Sequence, residues 1–347
     1  MEIPTATTEV GRPHISVIIP TFNRATLLRA SLASLAAQSL PRDEYEVVVI
    51  NDGSTDDTAE VCAGFAAQMA LRTFRIANSG ISAAKNLGVF TARAPVILFF
   101  DDDDTAHPGL LEQHVAMHRQ NPEENLAVLG HTTWAPDLDV TPLMEYILEI
   151  GQFLFAYKNL SDGQLLDFSY FWGGRTSCKR SLLAAHGIFN PNFRSIIEDI
   201  ELGYRLAKFG LKVVFNRHAA SYMVRPIGFD DFCRRSERQG RGMALFSQTH
   251  PEPAARQYCH IPDPIDCPIA AAAARWRDIE AITAQKVRRV RELDIALAAA
   301  PAAVERQAIL SELRTLWRWT FNAFKVKGAA AGLAENPPLG KFIHAPA

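Results

Sequence analysis

Apolar positions along this chain recur with two different spacings. Residues 15–19 form an unbroken β-branched run closed by Pro20, which predicts a buried strand, and residues 27–40 then place Leu28, Leu32, Leu35 and Ala36 at helical spacing. The unit repeats: residues 46–50 are a second apolar strand ending at Asn51-Asp52-Gly53-Ser54, where Thr55 or Asp56 can cap a helix through 62–69. Residues 71–76 read as a third strand, 82–91 as a short helix, 95–100 as a fourth strand and 108–119 as a helix. Strands alternating with helices imply an α/β fold with a mostly parallel, twisted sheet covered on both faces. Between 126 and 187 the signal weakens: 126–133 reads as a strand, 143–157 as an amphipathic helix and 168–174 as an aromatic-glycine loop. Leu202, Leu206 and Phe209 mark a helix over 198–209, ended by Gly210, and 212–216 is a following strand. Prolines at 251, 253, 262, 264 and 268 then punctuate a linker, and 270–327 reads as two helices broken near Pro301. The expected layout is an N-terminal tail (1–13), two halves of an α/β nucleus (14–125 and 126–246), a proline-rich linker (247–269) and a helical C-terminal region (270–347).

Composition narrows the function classes. The chain has 347 residues, enough for one large α/β domain with an appendage or for two domains. A formal net charge of −2 lacks the basic excess of a nucleic-acid binder, so no nucleic-acid partner is expected. Cys62, Cys178, Cys233, Cys259 and Cys267 are odd in number and widely spaced, forming neither C-x-x-C pairs nor a secreted disulfide framework, and a reducing cytoplasm is the expected location. Residues 1–10 lack a positive start followed by an apolar stretch, and no run approaches the eighteen or so apolar residues of a membrane span. Any membrane contact is expected to be peripheral.

The strongest chemical signal lies where the apolar residues 94–100 run straight into Asp101, Asp102, Asp103 and Asp104. Two carboxylates 4 Å apart repel by about 1 kcal/mol in water and about 4 kcal/mol at an effective dielectric of 20, so such a cluster calls for counter-charge. Oxygen-only ligands without nearby His or Cys suit Mg²⁺ or Mn²⁺, with substrate phosphates completing the shell. A solvated acidic loop capping the helix after Pro108 is the plainer alternative. Against it stands the cluster's place at the carboxyl end of a buried strand, where open α/β sheets bind ligands. Four such loops, 20–24, 51–54, 79–86 and 101–104, converge on one sheet edge. Asp52 can accept from a base or ribose, Arg24 and Lys85 can meet phosphate charge, and the aspartates can hold a bridging metal; a nucleoside diphosphate satisfies all of them. Singly the motifs are weak, since Asn-Asp-Gly-Ser is also a good turn and Lys85 also a solvated helix residue.

On these residues the chain resembles a family 2 glycosyltransferase with the GT-A, Rossmann-like nucleotide-sugar-binding fold, from about residue 14 to 246, followed by an α-helical C-terminal extension. ISVIIPTFNR (15–24) resembles the family's opening strand and nucleotide loop, which implies donor contacts from Pro20, Thr21, Asn23 and Arg24. VVVINDGSTDDT (47–58) resembles the segment whose aspartate, here Asp52, binds the nucleoside. SGISAAKNLG (79–88) resembles a further nucleotide loop and implies roles for Ser79, Gly80 and Lys85, with lysine where arginine is frequent. That exchange keeps charge and loses the bidentate fork. Asp101-Asp102-Asp103 fits the D-x-D element, implying Asp101 near the ribose and Asp103 on the metal, both as metal-site residues. Glu198-Asp199 matches the acidic pair in which the aspartate is the base, with Glu198 either raising its basicity or holding the acceptor; the alternative is charge complementing a helix N-terminus. Gln239-Gly240-Arg241 resembles the segment that closes the site. The resemblance implies one inverting displacement from a nucleoside-diphosphate sugar to an acceptor hydroxyl, and makes 14–125 the donor half and 126–246 the acceptor and base half. Asp52 suits uracil, hence a UDP-sugar, without excluding other bases. One position departs: Met223 stands where the family commonly has a histidine, with His218 five residues earlier. A thioether is a poor ligand for a hard cation, so either carboxylate, phosphate and water complete the shell or metal dependence is weak.

FSYFWGGR (168–175) sets Tyr170, Phe171 and Trp172 beside Gly173 and Gly174, which suits a sugar ring or apolar acceptor on Trp172, Gly173 and Gly174 and equally suits core packing. His107, His114, His118 and His131 show no metal spacing and are expected on loop and helix surfaces. In 311–327, Leu313, Trp317, Phe321 and Phe324 share a helix face beside Arg314, Arg318, Lys325 and Lys327. Such a helix could lie on the inner face of an anionic membrane. Packing of its aromatic face on the catalytic domain or a second subunit is favoured, and homo-oligomerisation is left open. Two rival functions remain. Asp101 to Thr105 also satisfies the D-x-D-x-T pattern of phosphoaspartyl hydrolases, though that motif normally opens its domain, and Met223 raises the case of a non-catalytic nucleotide-sugar binder.

Overall fold

The computed structural model describes residues 13–194, 196–300 and 302–335; nearly all of the predicted N-terminal tail lies outside them. Two compact units are present, one of residues up to 138 with 160–194 and 199–225, the other of 139–159, 195–198 and the residues from 226 on.

The first unit is built on one sheet. Its strands are β1 (Ile15–Thr21), β2 (Tyr45–Asn51), β3 (Leu71–Arg75), β4 (Val96–Phe99), β5 (Asp104–Ala106), β6 (Leu126–Trp134), β7 (Leu165–Leu166), β8 (Thr176–Lys179) and β9 (Lys212–Met223). They run in the order β3-β2-β1-β4-β8-β6-β9-β5, with β7 also on β9. The block β3-β2-β1-β4 is parallel, so the ends of β1, β2 and β4 open onto one edge, as the sequence pattern predicts. Continuous β-branched burial explains it, because both faces are covered: Ile15, Val17 and Ile19 pack with Leu28, Leu32 and Leu35, while Val48 and Ile50 pack with Ala84 on the opposite face. Pro20 is tolerated in this central strand because β4 pairs with β1 only as far as Ile18, so no partner strand awaits the missing N–H.

Three strands of this sheet were not foreseen. β5, β7 and β8 are short and antiparallel, and β8 buries Thr176 and Ser177, so its polar side chains hide an interior strand. The strand foreseen over 212–216 continues to Met223, past a register shift in its partner between Gly130 and His131. Two histidines expected at the surface are instead buried: His114 Nδ1 and His118 Nε2 lie 2.8 and 2.9 Å from Ser177 Oγ. Burial pushes their pKa values down to about 3 and about 4, leaving both imidazoles neutral.

The second unit is helical. The helix expected over 143–157 is short, Pro142–Glu145 plus a wide turn Tyr146–Ile150, because Gly151 is followed by Gln152 at φ 50° and the chain turns away. The segment read as a linker is packed structure: Pro253–Tyr258 is helical, Ile261 bridges Cys267, and Cys259, Ile261, Ile265 and Cys267 are buried. Helix Phe229–Thr249, which absorbs Gln239-Gly240-Arg241, crosses helix Ala303–Glu335 so closely that a β-carbon on Gly240 or Gly328 would overlap the carbonyl of Lys325 or Glu237. Gly240 therefore serves the close packing of these two helices. The aromatic face of 311–327 packs inside this unit, Trp317 lying 5.3 Å from Tyr146 and Phe321 4.6 Å from Phe232 between ring centroids. Apolar burial among neighbouring rings outcompetes the membrane-facing arrangement. No described helix is long and apolar enough to cross a membrane, and all five cysteines are buried free thiols.

Candidate functional site

The four aspartates leave β4 with alternating exposure. Asp102 and Asp104 turn inward, at 6 % and 1 % side-chain exposure, while Asp101 and Asp103 keep 33 % and 19 %. Asp102 accepts from Thr21 Oγ1 and Arg24 Nη1, both at 2.8 Å. Burial raises its pKa to about 6 although Arg24 opposes the shift. Asp103 Oδ2 accepts from Arg24 Nη1 at 3.2 Å and from Arg225 Nε at 3.0 Å. Arg175 Nη2 reaches Asp101 at 3.1 Å and Asp104 at 3.3 Å, and Ser221 Oγ also donates to Asp104. Burial pushes the Asp104 carboxyl up as well, with Arg175 holding it down in part. The counter-charge demanded by four carboxylates is thus supplied by three arginines. Asp102, grouped in the sequence with the donor-binding residues, is directed into the protein to hold Thr21 and Arg24.

The nucleotide-type loops interlock at the same edge. Asn23, at φ 53°, donates its amide to Ser54 Oγ at 2.9 Å and accepts from the Thr55 amide at 2.8 Å. Asp52 accepts the Ser79 and Gly80 amides, at 2.7 and 2.9 Å, on its two carboxylate oxygens. Asp52, Ser79 and Gly80 therefore form one anchored unit, a tie that separate motifs in a sequence do not display.

The other side of the site is the turn at Trp172, Gly173 and Gly174. Gly173 N–H donates to Asp199 Oδ2 at 2.8 Å, and the Ile200 amide holds Oδ1 at 2.8 Å. A β-carbon on Gly173 would stand 2.7 Å from Lys85 Nζ and 3.0 Å from Asp199 Cβ; one on Gly174 would overlap the Asp101 carboxylate. The paired glycines are needed for this close approach. Lys85 is almost wholly buried, its ammonium 5.2 Å from the Phe189 ring centroid, so the reading as a solvated helix residue is corrected. Trp172 stacks obliquely on Tyr170 at 5.2 Å and donates Nε1–H to Ser169 O. Glu198 is buried at the start of helix Glu198–Ala207.

Sequence reasoning missed Arg175 and Arg225. Both were visible only as the charge that four adjacent aspartates lack, and pairing β9 with β5 is what sets Met223 opposite Asp104 and brings Val224 N–H to Asp103 O at 3.1 Å. Met223 thus does stand at the acidic cluster, whereas His218 lies beside Asp162. Among the described residues no three His, Cys, Asp or Glu side chains form a metal-holding group. Asp101 and Asp103 nonetheless fit a hard divalent cation, as part-exposed oxygen donors whose remaining positions diphosphate and water would fill.

Residues 16–183 match the glycosyl transferase family 2 model. Over that stretch the chain is similar to the family. Validoxylamine A glucosyltransferase of Streptomyces hygroscopicus is 30 % identical over 240 residues, covering 62 % of this chain and 56 % of the relative. Chondroitin synthase of Escherichia coli is 26 % identical over 266 residues, covering 68 % and 38 %. The chain thus spans about half the length of these relatives, or less. A mannosyltransferase from Pyrobaculum calidifontis, solved in complex with GDP-Man and Mn²⁺, superposes with a TM-score of 0.61 at 21 % identity over 93 % of this chain and 88 % of that one. The 1–349 fragment of Staphylococcus aureus TarS, solved with UDP-GlcNAc, gives 0.51 at 16 % identity over 87 % and 90 %. These similarities establish the GT-A fold.

Proposed function

We propose that this chain is a family 2 glycosyltransferase that transfers a sugar from a nucleoside diphosphate to an acceptor hydroxyl with inversion, using Asp199 as the base. One observation carries the reading: adjacent residues of a single turn touch both carboxylates, Gly174 against Asp101 and Gly173 against Asp199. A donor lying along the aspartates would then present its sugar to a carboxylate on the far side of the turn. Asp199, its oxygens oriented by two amides, would accept the acceptor's proton as the new bond forms, a contribution of about 10² to 10⁴ in rate. Arg24 and Arg225, already at Asp103, would meet the charge that develops on the diphosphate. A Mg²⁺ or Mn²⁺ ion held by Asp101 and Asp103 would add Lewis-acid neutralisation of that leaving group. Three parallel strands with nucleotide-type loops lie on one side of β4, which leaves the phosphoaspartyl hydrolase reading without a task for them. A UDP-sugar is the first donor to try, with GDP-mannose and a thymidine-diphosphate sugar beside it.

Donor hydrolysis screened across these nucleotide sugars, with Mn²⁺, tests the proposal. Asp103→Ala should lose nucleotide and metal affinity, while Asp199→Asn should keep nucleotide binding and lose turnover at least 100-fold. Absence of binding to uridine, guanosine and thymidine diphosphates alike would overturn it; tight binding without turnover in wild type would leave a nucleotide-sugar binder.

A further inference from the structure

We infer that Arg175 is a positioning residue that ties the donor-side aspartates to the acceptor-side Asp199. The inference rests on the glycosyl-transfer reading and extends it to a buried residue behind the carboxylates. Arg175 is 6 % exposed, yet its Nη2 bonds two carboxylates at once, Asp101 at 3.1 Å and Asp104 at 3.3 Å. Asp104 is itself fixed from below by Ser221 Oγ, which is paired with Thr132 Oγ1 at 2.7 Å across β6 and β9. The Arg175 carbonyl accepts the Gly130 amide at 2.9 Å. Side chain and main chain of one residue are therefore anchored in the sheet.

What this anchors is the turn immediately before it. Arg175 N–H and Gly174 N–H both return to the Trp172 carbonyl, closing the turn, and Gly173 N–H leaves it to hold Asp199. Gly174 abuts the same Asp101 carboxylate that Arg175 grips. A shift of Arg175 would move Asp101 directly and Asp199 through two residues of backbone. Since a displacement of about 1 Å in a reacting constellation can cost about 10²-fold in rate, the guanidinium sets the spacing between leaving-group side and base side. Lysine is not equivalent: both bonds leave the single nitrogen Nη2, which the rigid, planar guanidinium aims between the two carboxylates, whereas an ammonium is a strongly hydrated point charge on a flexible stem.

The test compares full-length wild type, Arg175→Lys and Asp104→Asn in nucleotide-sugar hydrolysis, in calorimetric binding of UDP and GDP with Mn²⁺, and in hydrogen exchange of the peptide 172–176. Arg175→Lys should lower kcat about 100-fold with nucleotide Kd changed less than about threefold, and exchange in 172–176 should accelerate about tenfold. Asp104→Asn, which weakens the anchor while keeping its shape, should act in the same direction, about tenfold in kcat, and carries the test if Arg175→Lys does not fold. Unchanged kcat and exchange would overturn the inference. So would parallel losses of kcat, nucleotide affinity and Tm, which mark a merely structural residue. Should wild type bind neither of these nor thymidine diphosphate, the glycosyl-transfer reading fails by itself, and the anchoring stands or falls on exchange: acceleration upholds it, unchanged protection ends it.

Discussion

Arg225 Nε donates to Asp103 Oδ2 at 3.0 Å, sharing that oxygen with Arg24. The guanidinium sits two residues past Met223, the position where a histidine was expected, and is 40 % exposed at the rim of the acidic cluster. Arg225→Met should therefore weaken UDP or GDP binding about tenfold or more, the worth of one charge-assisted hydrogen bond, and leave Tm nearly unchanged. Isothermal titration with and without Mn²⁺ reads it, and equal affinities would show that Arg225 serves only Asp103.

Gly174→Ala asks for space that the Asp101 carboxylate already fills. Overpacking of this kind costs about 1–3 kcal/mol, and the least costly relief is displacement of Asp101. A folded protein with a lowered Tm and at least 100-fold slower donor hydrolysis is the expected result. Wild-type turnover in the alanine variant would contradict the tight turn.

Asp102 gives a pH dependence with a definite sign. Its folded pKa of about 6 lies above the ordinary 3.8, so the folded protein holds this proton more tightly than the unfolded chain does. The stabilisation is complete below about pH 3.8 and lost as pH rises through about 6. Asp102→Asn imitates the protonated form, so in urea unfolding without metal it should gain about 2 kcal/mol on wild type between pH 4.5 and 7.5. A gap that does not change with pH would mean that Asp102 is ionised throughout.

In the helical unit, Gly328→Ala should separate two helices that touch through backbone, because the added methyl would overlap the Glu237 carbonyl. A loss of about 1–3 kcal/mol is expected, measured by chemical unfolding, with Gly64→Ala in open space as the control.

Much of this architecture was legible because buried parallel strands write themselves as runs such as 15–19 and 46–50, and because each run ends in a polar loop. Thr176 and Ser177 defeated the same reasoning: they are polar yet interior, since two histidines satisfy Ser177 where no apolar pattern records the fact. The roles of Arg175 and Arg225 depend on strands 74 and 122 residues away from the aspartates they meet, which local spacing cannot convey. Asp52 shows a third limit. A sequence marks an aspartate in a ligand loop but not that its oxygens already bind the amides of Ser79 and Gly80.

The aromatic packing around Trp317 and Phe321 has an energetic corollary. Together with Leu313 these side chains withdraw roughly 500 Å² from water, at about 25 cal/mol per Å² some 12 kcal/mol, as much as the whole stability of a typical domain. Laying that stripe on a bilayer would mean dismantling the bundle. Attachment of this chain to any surface must draw on residues that the bundle leaves outside.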